Sequence, residues 1–466
     1  MASLFLCFFL CLSSLIILPS SSSTINLNLS PTPTPKSSLN RWDFTSDVVK
    51  TAIERARQLK HPHKNTSSTT SALHGATSMP LYARSYGGYS VNLAFGTPPQ
   101  SIPLIFDTGS SLLWVPCTSK YACANCTSSK VEPFQPKLSS STRVIGCRNP
   151  KCGWIFDADE AARCGPGCGS NCNRGCPSYV LQYGKGATSG VAISETLDLP
   201  GKPVRDFLLG CSLLSIQQPA GTGIGGFGRA PTSLPSQLQL GKFSYCLIPH
   251  KFNDGSRNSK LYLAGKGGKI SIASEGKGGE IEYTPFYKNP TKAPYNEYYY
   301  VNLRKITVGK KRVRLPYKYL VPSRIGDGGT IVDSGSTLTF MEQPLFEPLV
   351  KELAAQITEY KRAHDAEAFS GLGLCYEIKE ARNVSFPKLV FHYKGGAKML
   401  MAVDNYFSFV GDLGVWCLTI VTDASLAGPS VHVGPGIILG NFQQQNFYIE
   451  YDLENQRLGL KKQKCA

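Results

Sequence analysis

The feature that most constrains this chain is a repeat. An apolar run enters a glycine-containing loop at Leu104-Ile-Phe-Asp107-Thr-Gly-Ser110, and the same pattern returns at Thr330-Ile-Val-Asp333-Ser-Gly-Ser336. Each copy is followed by an apolar-glycine segment, Ile224-Gly-Gly-Phe-Gly228 in the first half and Ile437-Ile-Leu-Gly440 in the second. One such loop is ordinary turn chemistry, in which Asp and Ser cap a tight glycine turn. Two, with matched flanks and the same order of parts, predict two copies of one lobe with their loops face to face. At 466 residues the chain is long enough for that, because a single core rarely grows past about 250 to 300 residues.

The lobes should be mainly β. From Tyr89 onward short β-branched and aromatic runs (YSVNLAF, PLIFDT, YYYVNLRKITV, GTIVDS, KLVFHY, NFYIEYDL) alternate with Gly, Pro, Asn and Ser clusters, the texture of strands and turns. One helix is expected within them, from Gln343 to Ala363. A second is expected before them, from Ser46 to Lys60, where Val48, Val49, Ala52, Ile53, Ala56 and Leu59 recur at helical spacing behind a Ser cap. This basic helix lies between a Ser/Thr/Pro-rich spacer and the polar run HPHKNTSSTTS, the layout of a removable prosegment. The alternative is a plain surface helix. The expected organisation is a signal peptide at 1–22, prosegment and linker at 23–80, an N-terminal lobe with a cysteine-rich insert at 81–249, an interlobe segment at 250–293 and a C-terminal lobe at 294–466. Maturation is expected between 65 and 85.

The duplicated loop carries the chemistry. Two carboxylates meeting at a lobe interface cannot both ionise cheaply, so Asp107 and Asp333 would share a proton and hold a water between them. Gly109 and Gly335 permit a turn tight enough for amide N–H groups to point at the carboxylates. Ser110 and Ser336 offer hydroxyls to the outer oxygens, and Thr108 and Ser334 can bond across the lobes. Such a pair can direct water at a peptide carbonyl with no acyl-enzyme, metal or cofactor. The seven histidines form no HExxH pair, and Ser110 lies in no nucleophile elbow, which argues against a metalloprotease or a serine hydrolase. His392 reads as a strand residue.

IFDTGSSLLWVP resembles the first active-site segment of pepsin-like aspartic proteases, and TIVDSGSTLTF their second. The likeness runs from about Tyr89 to the C-terminus. ILGNFQQQNFYIEYDLENQRLGL, FSYCL and the cysteine-rich insert before Tyr179 are similar to the nepenthesin-like plant branch. The resemblance implies a bilobal, mostly β fold with a substrate cleft between the lobes, an acid pH optimum, activation from a zymogen, and apolar side chains flanking the scissile bond. It implies that Tyr183 sits on a flap and bonds Trp114, with Lys185 and Ala187 standing where the branch usually shows Asp and Ser. It also implies disulfides Cys375–Cys417 and Cys246–Cys465.

The remaining features bear on location and partners. An apolar stretch from Leu4 to Leu18, followed by small residues, has signal-peptide length, although no Lys or Arg precedes it and an uncleaved anchor is the alternative. No later run reaches the roughly 18 apolar residues of a spanning helix. Of 16 cysteines, two fall in that stretch and leave an even number, which suits disulfides in an oxidising compartment. Cys123-x-x-Cys126 and Cys164, Cys168, Cys172 and Cys176 have spacings that zinc could use, but Gly-rich, His-poor surroundings favour disulfides, so no metal is expected. Asn65 and Asn383 are glycosylation candidates, with Asn28 and Asn125 weaker ones. The expected location is extracellular, in the cell wall or apoplast, or else the vacuole. The net charge of +17 comes from scattered basic residues with no nucleic-acid motif. A monomer acting on protein or peptide substrates is expected. The rival reading is a binding or inhibitor protein on the same fold, since fold does not establish activity.

Overall fold

In the computed structural model of the chain the described residues are 41–60, 75–84, 87–126, 132–156, 164, 174–184, 186–217, 222–249, 257–270, 279–378, 384–410, 414–423 and 433–465. The expected signal peptide, the linker 61–74, Lys185, Asn28, Asn65, Asn383, Cys168 and Cys172 lie outside them.

Strands dominate, in two lobes. Along strand Gln100–Asp107, Ile102, Leu104 and Phe106 are buried while Ser101, Pro103 and Ile105 are less so, the period-two alternation of a strand with one face on a core. This strand pairs antiparallel with Tyr89–Phe95 and parallel with Gly223–Gly226, placing Gly226 opposite Asp107. The second half repeats the arrangement. Strand Thr330–Val332 runs parallel to Ile437–Leu439, and the Asp333 amide donates to the Leu439 carbonyl at 3.0 Å. The internal repeat is therefore structural as well as sequential, and each Asp leaves its strand beside a parallel neighbour, Gly223–Gly226 in one half and Ile437–Leu439 in the other.

The lobes share a 15-stranded sheet. Strand Phe447–Asp452, near the C-terminus, pairs with Leu240–Cys246 of the first half and with Arg457–Lys462, which in turn pairs with Glu282–Pro285. Cys246–Cys465 fastens this join across 219 residues of sequence. Three smaller sheets complete the second lobe. One expected boundary falls inside a strand. Strand Ala76–Ala83 pairs with Asn258–Gly265 and with Tyr89–Phe95, so a division at 80 would cut a strand of the shared sheet. The C-terminal lobe likewise gives its last two strands to that sheet.

Helix α1, Arg41–Lys60, begins five residues before the expected start. All six residues read as its apolar face are buried. Val48, Val49, Ala52 and Ile53 pack with Leu338, Val421, Phe442 and the Cys375–Cys417 bridge, while Ala56 and Leu59 pack with Tyr295, Tyr298, Tyr300, Ile331 and Phe340. At about 1.5–3 kcal/mol for each large side chain removed from water, this face binds α1 firmly to the second lobe. Helix α2 covers only Gln343–Gln356 of the expected span to Ala363. Beyond it Lys361–Arg362 pair with Tyr376–Glu377 as strand, and strand pairing there overrides the helical pattern.

Candidate active site

The two Asp loops meet at the lobe junction, and their hydrogen bonds are nearly superimposable. The Gly109 amide donates to Asp107 Oδ1 at 2.9 Å and the Gly335 amide to Asp333 Oδ1 at 2.9 Å. Ser110 Oγ donates to Asp107 Oδ2 at 2.5 Å, and Ser336 Oγ to Asp333 Oδ2 at 2.6 Å. Each turn folds its own amide and hydroxyl onto its own carboxylate, which fixes both side chains before any ligand arrives. The glycines are required by closeness: a Cβ on Gly109 would lie 2.6 Å from Asp333 Oδ1, and one on Gly335 would strike Asp107.

Thr108 and Ser334 lock the loops together. The Thr108 amide donates to Ser334 Oγ at 3.0 Å, and the Ser334 amide donates to Thr108 Oγ1 at 2.9 Å. Each hydroxyl then donates across the junction, Thr108 Oγ1 to the Val332 carbonyl at 3.1 Å and Ser334 Oγ to the Phe106 carbonyl at 3.0 Å. All four groups are buried and paired, as buried polar groups must be. The strands ending in the two aspartates are thereby held in one position relative to each other.

Helix α1 crosses this centre and inserts Arg55 into it. Arg55 Nη2 donates to Asp107 Oδ1 at 2.7 Å and Oδ2 at 2.9 Å, and Nε donates to Asp333 Oδ2 at 3.2 Å. Asp107 is 1% exposed and Asp333 0%. Burial pushes the Asp107 carboxyl up to about 6, with Arg55 opposing and the neighbouring Asp333 charge reinforcing the rise. Burial acts on Asp333 in the same direction, but Arg55 and the Ser336 hydroxyl outweigh it and hold that carboxyl below its ordinary range. The guanidinium, although buried, is kept charged by both carboxylates. The two carboxyls are thus driven apart, Asp107 toward the protonated form and Asp333 toward the ionised one.

Trp114 and Tyr183 come together beside the loops. Trp114 Nε1 donates to the Tyr183 hydroxyl at 2.7 Å, with ring centroids 6.2 Å apart. Tyr183 ends strand Tyr179–Tyr183, which forms a hairpin with Gly186–Leu199, and Ala187 lies in that hairpin opposite Gln182. Gln58 of α1 donates to the Gln182 carbonyl, so the helix also touches the hairpin. The cysteines stand apart from the aspartates: Cys117–Cys211, Cys123–Cys126, Cys147–Cys164 and Cys152–Cys176 brace the first lobe, and Cys375–Cys417 the second. His392 lies in strand Leu389–Tyr393 and bonds Thr307.

Sequence reasoning missed Arg55, Lys60, Glu297 and Glu342. Glu297 is half-buried, accepts from Ser111 Oγ at 2.9 Å, and is pushed by desolvation up to about 7. The only sequence signal for Arg55 and Lys60 was the basic character of α1, which does not say which cation meets the carboxylates.

Comparison with known proteins gives a consistent relationship. Residues 89–264 match the family model for the xylanase inhibitor N-terminal domain and residues 298–462 that for its C-terminal domain. A probable aspartyl protease of Arabidopsis thaliana is 31% identical over 81% of this chain and 82% of its own length. Aspartic proteinase nepenthesin-1 of Nepenthes gracilis is 31% identical over 82% of this chain and 78% of its own length. Among solved structures, edgp superposes with a TM-score of 0.63 at 19% identity, covering 85% of this chain and 96% of that one. Basic 7S globulin from soybean gives 0.61 at 18%, covering 84% and 99%. At those identities the solved structures establish the bilobal fold alone, while the sequence relatives carry the family assignment. The chain belongs to the pepsin-like aspartic protease family of plants, alongside the nepenthesins.

Proposed function

We propose that this chain is the precursor of a secreted aspartic endopeptidase in which Asp107 and Asp333 direct water against a peptide carbonyl at acid pH, and in which α1 keeps the cleft closed until it is removed. The observation that carries the reading is the pairing itself: two buried carboxylates, each fixed by its own loop, joined by one guanidinium. With Arg55 withdrawn, a water bound between the carboxylates would give its proton to the ionised partner while attacking. The protonated partner would hydrogen-bond the carbonyl oxygen and later protonate the leaving nitrogen. The Trp114–Tyr183 contact would hold the hairpin over the substrate.

The carboxylate protonation sets the direction of a pH switch. The Arg55–Asp333 contact is fully present above the ordinary carboxylate value of 3.8 and is lost as pH falls through the lowered value. Asp107 takes up a proton as pH falls through about 6, which removes one of the two negative charges facing Arg55. Acidification therefore loosens α1 in two stages. It is opposed by the apolar face of the helix, which does not titrate.

The second reading is a non-catalytic binding protein, favoured by the name of the matching family models. Against it stand two complete loops, since binding alone needs neither carboxylate. The test is to express residues 23–466, acidify, and follow cleavage of a denatured protein from pH 2 to 8, with and without pepstatin, beside Asp333→Ala. Acid-dependent, pepstatin-sensitive cleavage missing from the variant supports the peptidase. A folded, processed protein that cleaves nothing at any pH supports the binding protein.

A further inference from the structure

Lys60, the last residue of α1, is 1% exposed. Its Nζ donates to Glu342 Oε1 at 2.7 Å and stands 4.9 Å from the centroid of the Phe340 ring. Burial pushes the Lys60 ammonium below its ordinary value, opposed by the carboxylates of Glu342, Asp423 and Asp327. Gly434, at φ +84°, closes over the stem, and a Cβ there would lie 2.7 Å from Lys60 Cα and 3.0 Å from its Cβ. Tyr298 Oη donates to the Leu59 carbonyl at 3.1 Å, and Tyr295 Oη to the Lys60 carbonyl. Hydroxyls directed at main-chain carbonyls, a carboxylate at the foot, an aromatic wall and a side-chain-free lid make a socket shaped for one lysine within a peptide. Every wall comes from the second lobe, and Phe340 and Glu342 follow closely in sequence after Asp333.

The socket lies at substrate distance from the carboxylates. Lys60 is five residues beyond Arg55, about 7.5 Å along a helix axis, a span that about two residues of extended chain cover. We propose that this socket is a substrate subsite selecting a lysine or arginine side chain about two residues from the scissile bond, and that Lys60 fills it in the precursor as a stand-in. The proposal rests on the peptidase reading. When α1 leaves, the Glu342 carboxylate loses the ammonium that offsets its burial, and a cationic substrate side chain restores the pair. A neutral side chain filling the socket would bury the carboxylate without a cation, which is strongly unfavourable, so the contact favours cationic over neutral substrates. The preference is notable in a chain of net charge +17, whose overall field repels cations.

The test uses the acid-processed protein and matched quenched peptides in which lysine, arginine, norleucine or glutamate is walked through three positions on each side of the cleaved bond, between pH 3 and 6. The expected result is a kcat/KM for lysine on the order of tenfold above norleucine at one position, with glutamate below both and with the lysine-to-norleucine ratio falling to about one in Glu342→Gln. Should that variant fail to fold, inhibition of the wild type by a synthetic peptide of residues 41–60 is read instead, and norleucine in place of Lys60 should weaken it about tenfold. Equal cleavage of lysine and norleucine peptides, a preference that survives Glu342→Gln, or equal inhibition by the two synthetic peptides would overturn the subsite while leaving the peptidase. Hydrolysis of none of the peptides would remove both.

Discussion

The two aspartate loops have almost the same sequence and the same hydrogen bonds, yet their carboxylates move in opposite directions. Gly109 and Gly335 donate at the same 2.9 Å, and the two serines differ by 0.1 Å, but Asp107 is pushed up to about 6 while Asp333 is held below its usual range. The difference cannot come from either loop alone. It arises because the carboxylates face each other and a single guanidinium, so one site accommodates the negative charge at the expense of the other. Local sequence sets geometry here, and the pair sets protonation.

The largest effect should come from breaking the pair. Asp107→Asn and Asp333→Asn are each expected to lower kcat/KM for a peptide by about 10⁴-fold or more, and the double variant little further, because the groups act as a unit. Steady-state assay of all three checks this. Independent losses that multiply would show two sites rather than one.

Next in size is the removal of the shared guanidinium. Arg55→Ala leaves two buried carboxylates without their cation, a cost of about 3–5 kcal/mol for a buried pair. The precursor should then release α1 and begin to cleave peptide at a pH at least one unit higher than the wild type. Limited proteolysis of α1 against pH reads the release directly, and an unchanged profile would mean that the apolar face alone holds the helix.

The outer hydroxyls sharpen the asymmetry. In the precursor, Ser336→Ala should raise the Asp333 carboxyl, whose ionised form loses a hydrogen bond, and move the lower-pH stage of α1 release upward. Ser110→Ala should instead raise Asp107 and move the higher-pH stage upward. Both substitutions moving the same stage would contradict the division between the two loops. The smallest effect is expected at the hairpin: Trp114→Phe removes the 2.7 Å bond to Tyr183, worth about 1 kcal/mol, and should lower kcat about fivefold with its pH profile unchanged.

What was legible in the sequence was local or repeated. The loops announced themselves by a motif printed twice, and α1 by the spacing of Val48, Val49, Ala52, Ile53, Ala56 and Leu59, all of which are buried. What was illegible depends on contacts across long stretches of chain. Arg55 meets Asp107 across 52 residues and Asp333 across 278, and Lys60 meets Glu342 across 282. Arg57, on the same basic helix, gave no sequence reason to be passed over. The overlong helix to Ala363 failed for the same reason, because the partner of Lys361–Arg362 lies at Tyr376–Glu377. The shared sheet was hidden likewise, its last strands reaching back to Leu240–Cys246.

The central claim is that the two loops form one catalytic unit holding one proton. Its most direct test is the pH–rate profile of the processed protein on a peptide without titrating groups. A bell is predicted, falling on the acid side as the ionised carboxylate is protonated and on the alkaline side as the shared proton is lost. A rate with a single limb, or one sustained to pH 8, would contradict the claim.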